Sequence, residues 1–449
     1  MSRFNSRQWL TISSPASAIQ CPEMRLLGRM GETLVQGSGK LVLDEFGDFQ
    51  FDLDGRAADL EQLNQFVAEQ RSNPYDGLAR FRLVVTDSNG QELHCGFAVT
   101  DALRASDGSV VCSGRAEGLS LDTPSFSDVG TEILLLIPER HWLRNALAVS
   151  FPPPDEVGIC RYSMEIAGSQ LEFEYERATH SLTITIVGNE TFPQTYTEGW
   201  LSEPLRMLLG QLAFPRVIVR SNPDRAMVMI PQIRHWHGEA DHYSLLDPAA
   251  TFEDAKLIFE MYGELLEFVA NARDENGNRN FDRNPLTLFY EELAQSMRGS
   301  RWIMTLTLAS AVEGALNLLF PADSFDESVN VAELESLKRH IDNWDGHSES
   351  TKVSIAALKD RAKGAVSYTA ELTTIKRLRL LARQKKVATD EVRAWEKVRH
   401  KVAHGNIFSP FSSEENDRLI FSLMSLFRRI AGLIALGRNP PSAGLVGLM

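Results

Sequence analysis

The chain has 449 residues, 43% hydrophobic and 24% charged, with a formal net charge of −14. That length exceeds what one ordinary core serves, so two or three domains are expected, and the composition is globular rather than disordered or fibrous. The acidic surplus excludes a broad DNA-coating surface, because sequence-independent affinity for nucleic acid comes from neutralising phosphates; a small basic face for RNA can still coexist with it. The four cysteines, Cys21, Cys95, Cys112 and Cys160, are widely spaced and form no CxxC pair. They argue against a disulfide framework or zinc ribbon and for reduced thiols. The first residues contain no apolar run of signal-peptide length. The most apolar stretch, Ile303 to Phe320, is interrupted by Glu313, and the last helical run carries Arg428 and Arg429 in its middle. Neither reads as a membrane span, so a cytoplasmic protein with no membrane partner is expected.

From about Leu26 to Pro231 the pattern is one of short alternating runs separated by turn residues. Phe81 to Thr86 and Leu93 to Val99 flank Asn89-Gly90, a pair suited to the positive φ angles of a tight hairpin. Leu171, Phe173 and Tyr175 alternate with acidic residues, and Leu182, Ile184 and Ile186 alternate with threonines, across Arg177 to Ser181. Val217 to Val219 and Met227 to Ile230 flank Ser221 to Asp224 in the same way. Strands at hairpin spacing, with little helix between them, predict an antiparallel β-sandwich or barrel-like module over residues 1–245. This half holds no Walker loop, no GxGxxG and no GxSxG elbow, which suits a recognition or assembly module. At its end lies His235-Trp-His-Gly-Glu-Ala-Asp-His242, where three histidines, Glu239 and Asp241 are candidate metal ligands, an alternative in which the chain is a metal-dependent hydrolase centred on this cluster. The run resembles the HxHxDH motif of metallo-β-lactamases but has Glu239 and Ala240 at the last two positions. The alternative is a polar interdomain loop with Trp236 packed on a neighbour.

Residues 246–284 read as a bridging helix, opened by a loose capping box at Thr251 to Asp254, and a polar loop from Asn271 to Pro285. Residues 285–449 have helical period. The spacing predicts helices over Trp302 to Leu319, Val331 to Trp344, Lys352 to Lys386, from Thr389 to Gly405, and behind a capping box at Ser412 to Glu415. The whole is then an α+β multidomain chain: a β-rich module followed by an all-α up-down bundle.

The fourth of these helices ends in Trp395-Glu-Lys-Val-Arg399-His400-Lys-Val-Ala-His404-Gly405. An arginine, a polar residue directly after it and a histidine five positions on, all before a glycine stop, resemble the R-[NDH]-x3-H signature of the HEPN superfamily. The resemblance covers residues 285 to 437, about a third of the chain. It implies a four- or five-helix bundle, metal-independent RNA cleavage without a cofactor, and an acidic residue from an early helix facing the arginine. Glu313 stands in the expected helix. The layout of a β-rich module before such a bundle also resembles ApeA-type antiphage proteins. That likeness implies a toxin-like abortive-infection effector, answering to a phage-derived trigger or an antitoxin.

Metal-free RNA cleavage needs a group to take the 2′-hydroxyl proton, one to protonate the leaving 5′-oxygen, and a cation for the crowded phosphate. Histidine suits the proton work and arginine the phosphate. Five residues of helix turn through about 500°, so Arg399 and His404 share no face unless the last turn unwinds at Gly405. One matched histidine per chain for two proton transfers predicts a homodimer that brings two motifs together, as the family does. Candidate catalytic residues are therefore Arg399, His400, His404 and Glu313, with Glu313 orienting Arg399. Basic residues crowd the same segment, among them Arg377, and Arg393, Lys397, Lys401, Lys385 and Lys386 are the RNA-binding candidates, for tRNA or single-stranded RNA. Three alternatives stand beside these: a metal trio of Glu396, His400 and His404, an ordinary salt bridge of Arg399 with Glu396, and a catalytically silent HEPN scaffold.

Overall fold

Alternation in the front half becomes thirteen strands among the described residues, all paired antiparallel. The computed structural model describes residues 18–44, 47–73, 80–124, 129–136, 158–232, 257–297, 299–320, 331–344, 352–370, 372–403 and 413–441, with positions 9, 76, 151, 155, 244–246 and 411. Six strands, β1 (Ala18–Leu27), β2 (Thr33–Leu43), β3 (Phe49–Ala57), β4 (Phe81–Thr86), β5 (Glu92–Ser106) and β6 (Ser109–Ala116), run in the order β4-β1-β2-β3-β6-β5. Pairing of β4 with β5 closes them into a barrel, which leaves none of the six as a free edge. Along β3, Phe49, Phe51 and Leu53 point inward while Gln50, Asp52 and Asp54 face out. The barrel is tightly coiled at β2: a Cβ on Gly39 would stand 1.9 Å from the Asp52 carbonyl oxygen, a separation only glycine permits. In the turn between β4 and β5, Gly90 alone takes a positive φ, 79°. The Asp87 carboxylate does the rest, accepting from the Asn89 and Gln91 amides at 2.9 and 2.8 Å.

The remaining strands, β7 (Gly118–Pro124), β8 (Gly130–Leu136), β9 (Ile159–Ile166), β10 (Ser169–Glu176), β11 (Ser181–Val187), β12 (Val217–Ser221) and β13 (Arg225–Pro231), continue the sheet as β7-β13-β12-β8-β11-β10-β9. The β10–β11 and β12–β13 hairpins have the expected turns, with Phe173 opposite Ile184 and Ile218 opposite Met229. This wall serves two cores. In β8, Leu134 joins the barrel-side cluster while Ile133 and Leu135 join a cluster that runs on into the helices.

Two helices interrupt the strands, contrary to the expectation of little helix there. α1 (Leu60–Ser72) is capped by Asp59, which accepts from the Glu61 and Gln62 amides, and its Phe66 ring lies 4.8 Å from that of Phe81. α2 (Gln194–Leu209) is buried at every position from Trp200 to Leu209. It packs on β8 and β12 on one side and on α3 (Leu257–Ala270) and α4 (Pro285–Ser296) on the other. Its burial is why it escapes a periodicity search: a helix surrounded by protein has no polar face.

α5 (Arg301–Leu319), α8 (Thr374–Arg383), α9 (Thr389–Ala403) and α10 (Glu414–Ala435) complete the bundle with α4. The expected single helix over residues 352–386 is two: α7 (Lys352–Ala370) and, after a break, α8. α7 and α6 (Val331–Asp342) pack on each other, and none of their described side chains joins the core cluster. Ser413, rather than Ser412, caps α10, accepting from the Asn416 amide at 3.3 Å. The capping box at Thr251 lies outside the described residues. α5 is long and apolar enough to cross a membrane. Here its inner face, including Leu308, Val312, Ala315 and Leu316, is buried in the bundle core.

All four cysteines are buried, unpaired thiols; burial pushes Cys21 up to about 11 and Cys112 up to about 12, leaving them unreactive at neutral pH.

A buried ionic network lies in the joint between sheet and bundle. From α2, buried Arg206 places Nη1 3.0 Å from Glu291 Oε1 of α4, and Arg283 donates to the other Glu291 oxygen at 2.8 Å. Glu203, also buried, accepts from Thr287 Oγ1 at 2.7 Å and the Asn284 amide at 3.2 Å. Burial raises the Glu203 carboxyl above its ordinary range despite these bonds. Its contribution to stability is thus complete below that range and is lost as pH rises through the raised value. Glu203→Gln keeps an acceptor and removes the loss, so it should match or exceed the wild type in urea midpoint at neutral pH, with the advantage fading toward about pH 4. Glu291→Gln strands the buried Arg206 charge and should lower stability by about 3–5 kcal/mol. Equal midpoints for Glu291→Gln and wild type would remove this network from the account of the joint.

Candidate functional site

The candidate site lies where α5, α8 and α9 meet. α9 forms because its buried face, Glu391, Val392, Ala394, Trp395 and Val398, repeats at helical spacing and meets α5 and α10. Trp395 Nε1 donates to the Ala309 carbonyl of α5 at 3.4 Å, which sets the rotation of α9 against α5. That rotation brings Arg399 to the margin of the buried face, where its Nε lies 3.6 Å from Glu313 Oε2. Thr374, in the first turn of α8, donates to the other Glu313 oxygen at 3.5 Å. One carboxylate thus joins three helices.

Glu396 does not take Arg399; it accepts from Arg379 Nη2 of α8 at 2.8 Å. His400 is exposed one position beyond Arg399. His404 and Gly405 lie outside the described residues, as does the whole of His235 to His242. Among the described residues no group of three His, Cys, Asp or Glu side chains could hold a metal ion.

The basic residues that crowd together in the sequence are spread by the fold. Arg393, Lys397 and Lys401 follow at intervals of four on the flank toward α10. There Arg393 pairs with Asp390 at 3.2 Å and Lys397 with Glu415. Lys397, by its hydrogen bond and charge, and Lys401, by its charge, hold the Glu415 carboxyl below its ordinary value. A groove of about 370 Å³ between α9 and α10 is lined by Arg393, Lys397 and Arg418 but also by Asp390, Glu414 and Glu415. Lys385 and Lys386 occupy the turn before α9, where Lys385 takes a φ of 58°. The ten helical steps from Thr389 to Arg399 separate that turn from the Glu313–Arg399 pair by about 15 Å.

Sequence reasoning missed Asn317 and Thr374 and saw Arg377 only as one more basic residue. Arg377 Nη1 donates to Asn317 Oδ1 at 2.6 Å. Glu313 and Asn317 are one turn apart on α5, as Thr374 and Arg377 nearly are on α8. Two polar side chains four apart in the otherwise apolar stretch Ala311 to Leu319 was the signal available.

Glu313 and Arg399 are 37% and 49% exposed, so water screens their attraction and the pair stabilises the fold by no more than about 1 kcal/mol. A double-mutant cycle of Glu313→Gln and Arg399→Gln in urea should return a coupling below that value, with both single variants folded at 25 °C. A coupling of several kcal/mol would make the pair a structural strut instead.

No family model matches this chain, and no curated protein or solved structure matches it either.

Proposed function

We propose that the chain is a metal-independent endoribonuclease of the HEPN type, acting in the cytoplasm as a homodimer, with the barrel and its sheet as a sensing or assembly module. The observation that carries the reading is the meeting of Glu313 and Arg399, 3.6 Å apart, from helices 86 positions apart in the chain. The resemblance implies that an early acid faces the arginine. Nothing in the local sequence of either helix requires it.

In this reading Arg399 receives the scissile phosphate. Its planar fork donates to two phosphate oxygens and offsets the charge that builds as the 2′-hydroxyl attacks. Glu313 holds the guanidinium in orientation and is exposed enough to yield it to the stronger anion. His404 takes the 2′-hydroxyl proton or delivers one to the departing 5′-oxygen, the partner protomer's copy taking the complementary role, and His400 aids substrate or dimer contacts. The products are a 2′,3′-cyclic phosphate and a free 5′-hydroxyl. By the same resemblance the cut is a defence response, released when a phage-derived trigger or the loss of an antitoxin acts on the N-terminal module. One observation favours the rival, a catalytically silent scaffold: Arg379, Arg393 and Lys397 already carry carboxylate partners, which weakens the field an RNA would meet.

The test is cleavage of mixed tRNA and single-stranded RNA in EDTA. The wild type should leave 2′,3′-cyclic phosphate ends. His404→Ala should lower the rate by about 10²–10⁴-fold and Arg399→Ala by about 10²–10³-fold, with the dimer intact in sedimentation. Cleavage undiminished in His404→Ala, or dependent on added metal, would sink the reading.

A further inference from the structure

Two arginines are buried among the described residues, Arg206 and Arg377. Arg206 lies against Glu291. Arg377, 9% exposed, has no carboxylate partner among the described residues: its guanidinium touches Asn317 Oδ1 at 2.6 Å and faces the Phe320 ring at 5.9 Å, and its buried Nε has no hydrogen-bond acceptor among them. A desolvated cation held by one neutral amide is unfavourable by itself and is stabilised by any anion that reaches it. Asn317 is exposed, so the guanidinium lies directly beneath a solvent-facing side chain.

Its position gives that anion a class. Two polar crosslinks join α5 to α8 a turn apart, Glu313 to Thr374 and Asn317 to Arg377. Arg399 stands at the first and Arg377 at the second, spaced by about one helical turn, 5.4 Å, along α5. We propose that Arg377 and Asn317 form a second phosphate subsite, which takes the phosphate next to the scissile one on a single RNA strand. This rests on the ribonuclease reading for what the first position does. Arg377 is then a binding group for the strand, and its lack of a counter-ion is what keeps the subsite open.

Asn317→Asp is nearly isosteric and supplies an internal carboxylate; Arg377→Met removes the charge and keeps most of the volume. The probe is a fluorescein-labelled hexamer of 2′-O-methyluridine, which has no free 2′-hydroxyl to attack, binding to the full-length protein as salt is varied. Both variants should raise the dissociation constant about tenfold and reduce the slope of log K against log salt by about 0.7, one phosphate contact on a single strand. Both should also melt at or above the wild-type temperature, because the unpaired buried charge is gone. A wild type that does not bind the hexamer, unchanged slopes in the variants, or melting below wild type in both would each overturn the subsite, the last by making Arg377 structural. Cleavage of the matching ribonucleotide hexamer is scored separately: binding with the lost slope and no cleavage would uphold the subsite and remove the nuclease reading.

Discussion

Much of this structure depends on burying charge successfully along α2. From Trp200 to Leu209 that helix is covered on both sides, by β8 and β12 and by α3 and α4, so the polar groups of this stretch are shut off from bulk water. Arg206 finds Glu291, Glu203 finds Thr287 and the Asn284 amide, and Tyr262 donates to the Leu201 carbonyl at 2.6 Å. Such groups add little net stability over apolar substitutes, but they penalise every arrangement that leaves one of them unmatched. α2 therefore sets a specific seating of the bundle on the sheet. The hydrophobic cluster crosses that seam without a break, from Ile133 in β8 to Leu433 in α10.

The same logic runs in weaker form at the candidate site. Trp395 keys α9 to α5, and the exposed Glu313 then gathers Arg399 and Thr374. Here the charges are near solvent and the bonds are exchangeable, as the proposed transfer of Arg399 from Glu313 to a phosphate would require. The fold keeps its strong ionic contacts in the α2 joint and its labile ones at the surface where α5, α8 and α9 meet. Arg377 stands between these regimes, buried like Arg206 and unmatched by any carboxylate among the described residues.

Legibility in the sequence followed exposure. Hairpins such as β10–β11 were readable because one face alternates against solvent or the neighbouring layer, and the α5, α9 and α10 spans were readable from their spacing and caps. α2 was not, because protein surrounds it from Trp200 to Leu209, and α7 and α8 merged because no glycine or proline marks the break between them. The acid facing Arg399 was legible only through the likeness of the motif, whereas Asn317 beside Arg377 could have been read from the polar i and i+4 positions of α5.

By itself the sequence determined where the β4–β5, β10–β11 and β12–β13 hairpins and the spans of α5, α9 and α10 form, because those choices rest on period, cap and turn chemistry within a few residues. It also placed Arg399, His400 and His404 within one short segment, where five positions of separation are a property of the chain alone. Only the tertiary structure decided that six strands close into a barrel, that β8 serves two cores, and that Arg399 meets Glu313 rather than Glu396. It likewise divided the basic residues between the α10 flank, the turn before α9 and the interior of α8. These are outcomes of packing between elements distant in the chain, and they are selected by the burial and pairing of groups whose partners no local window contains.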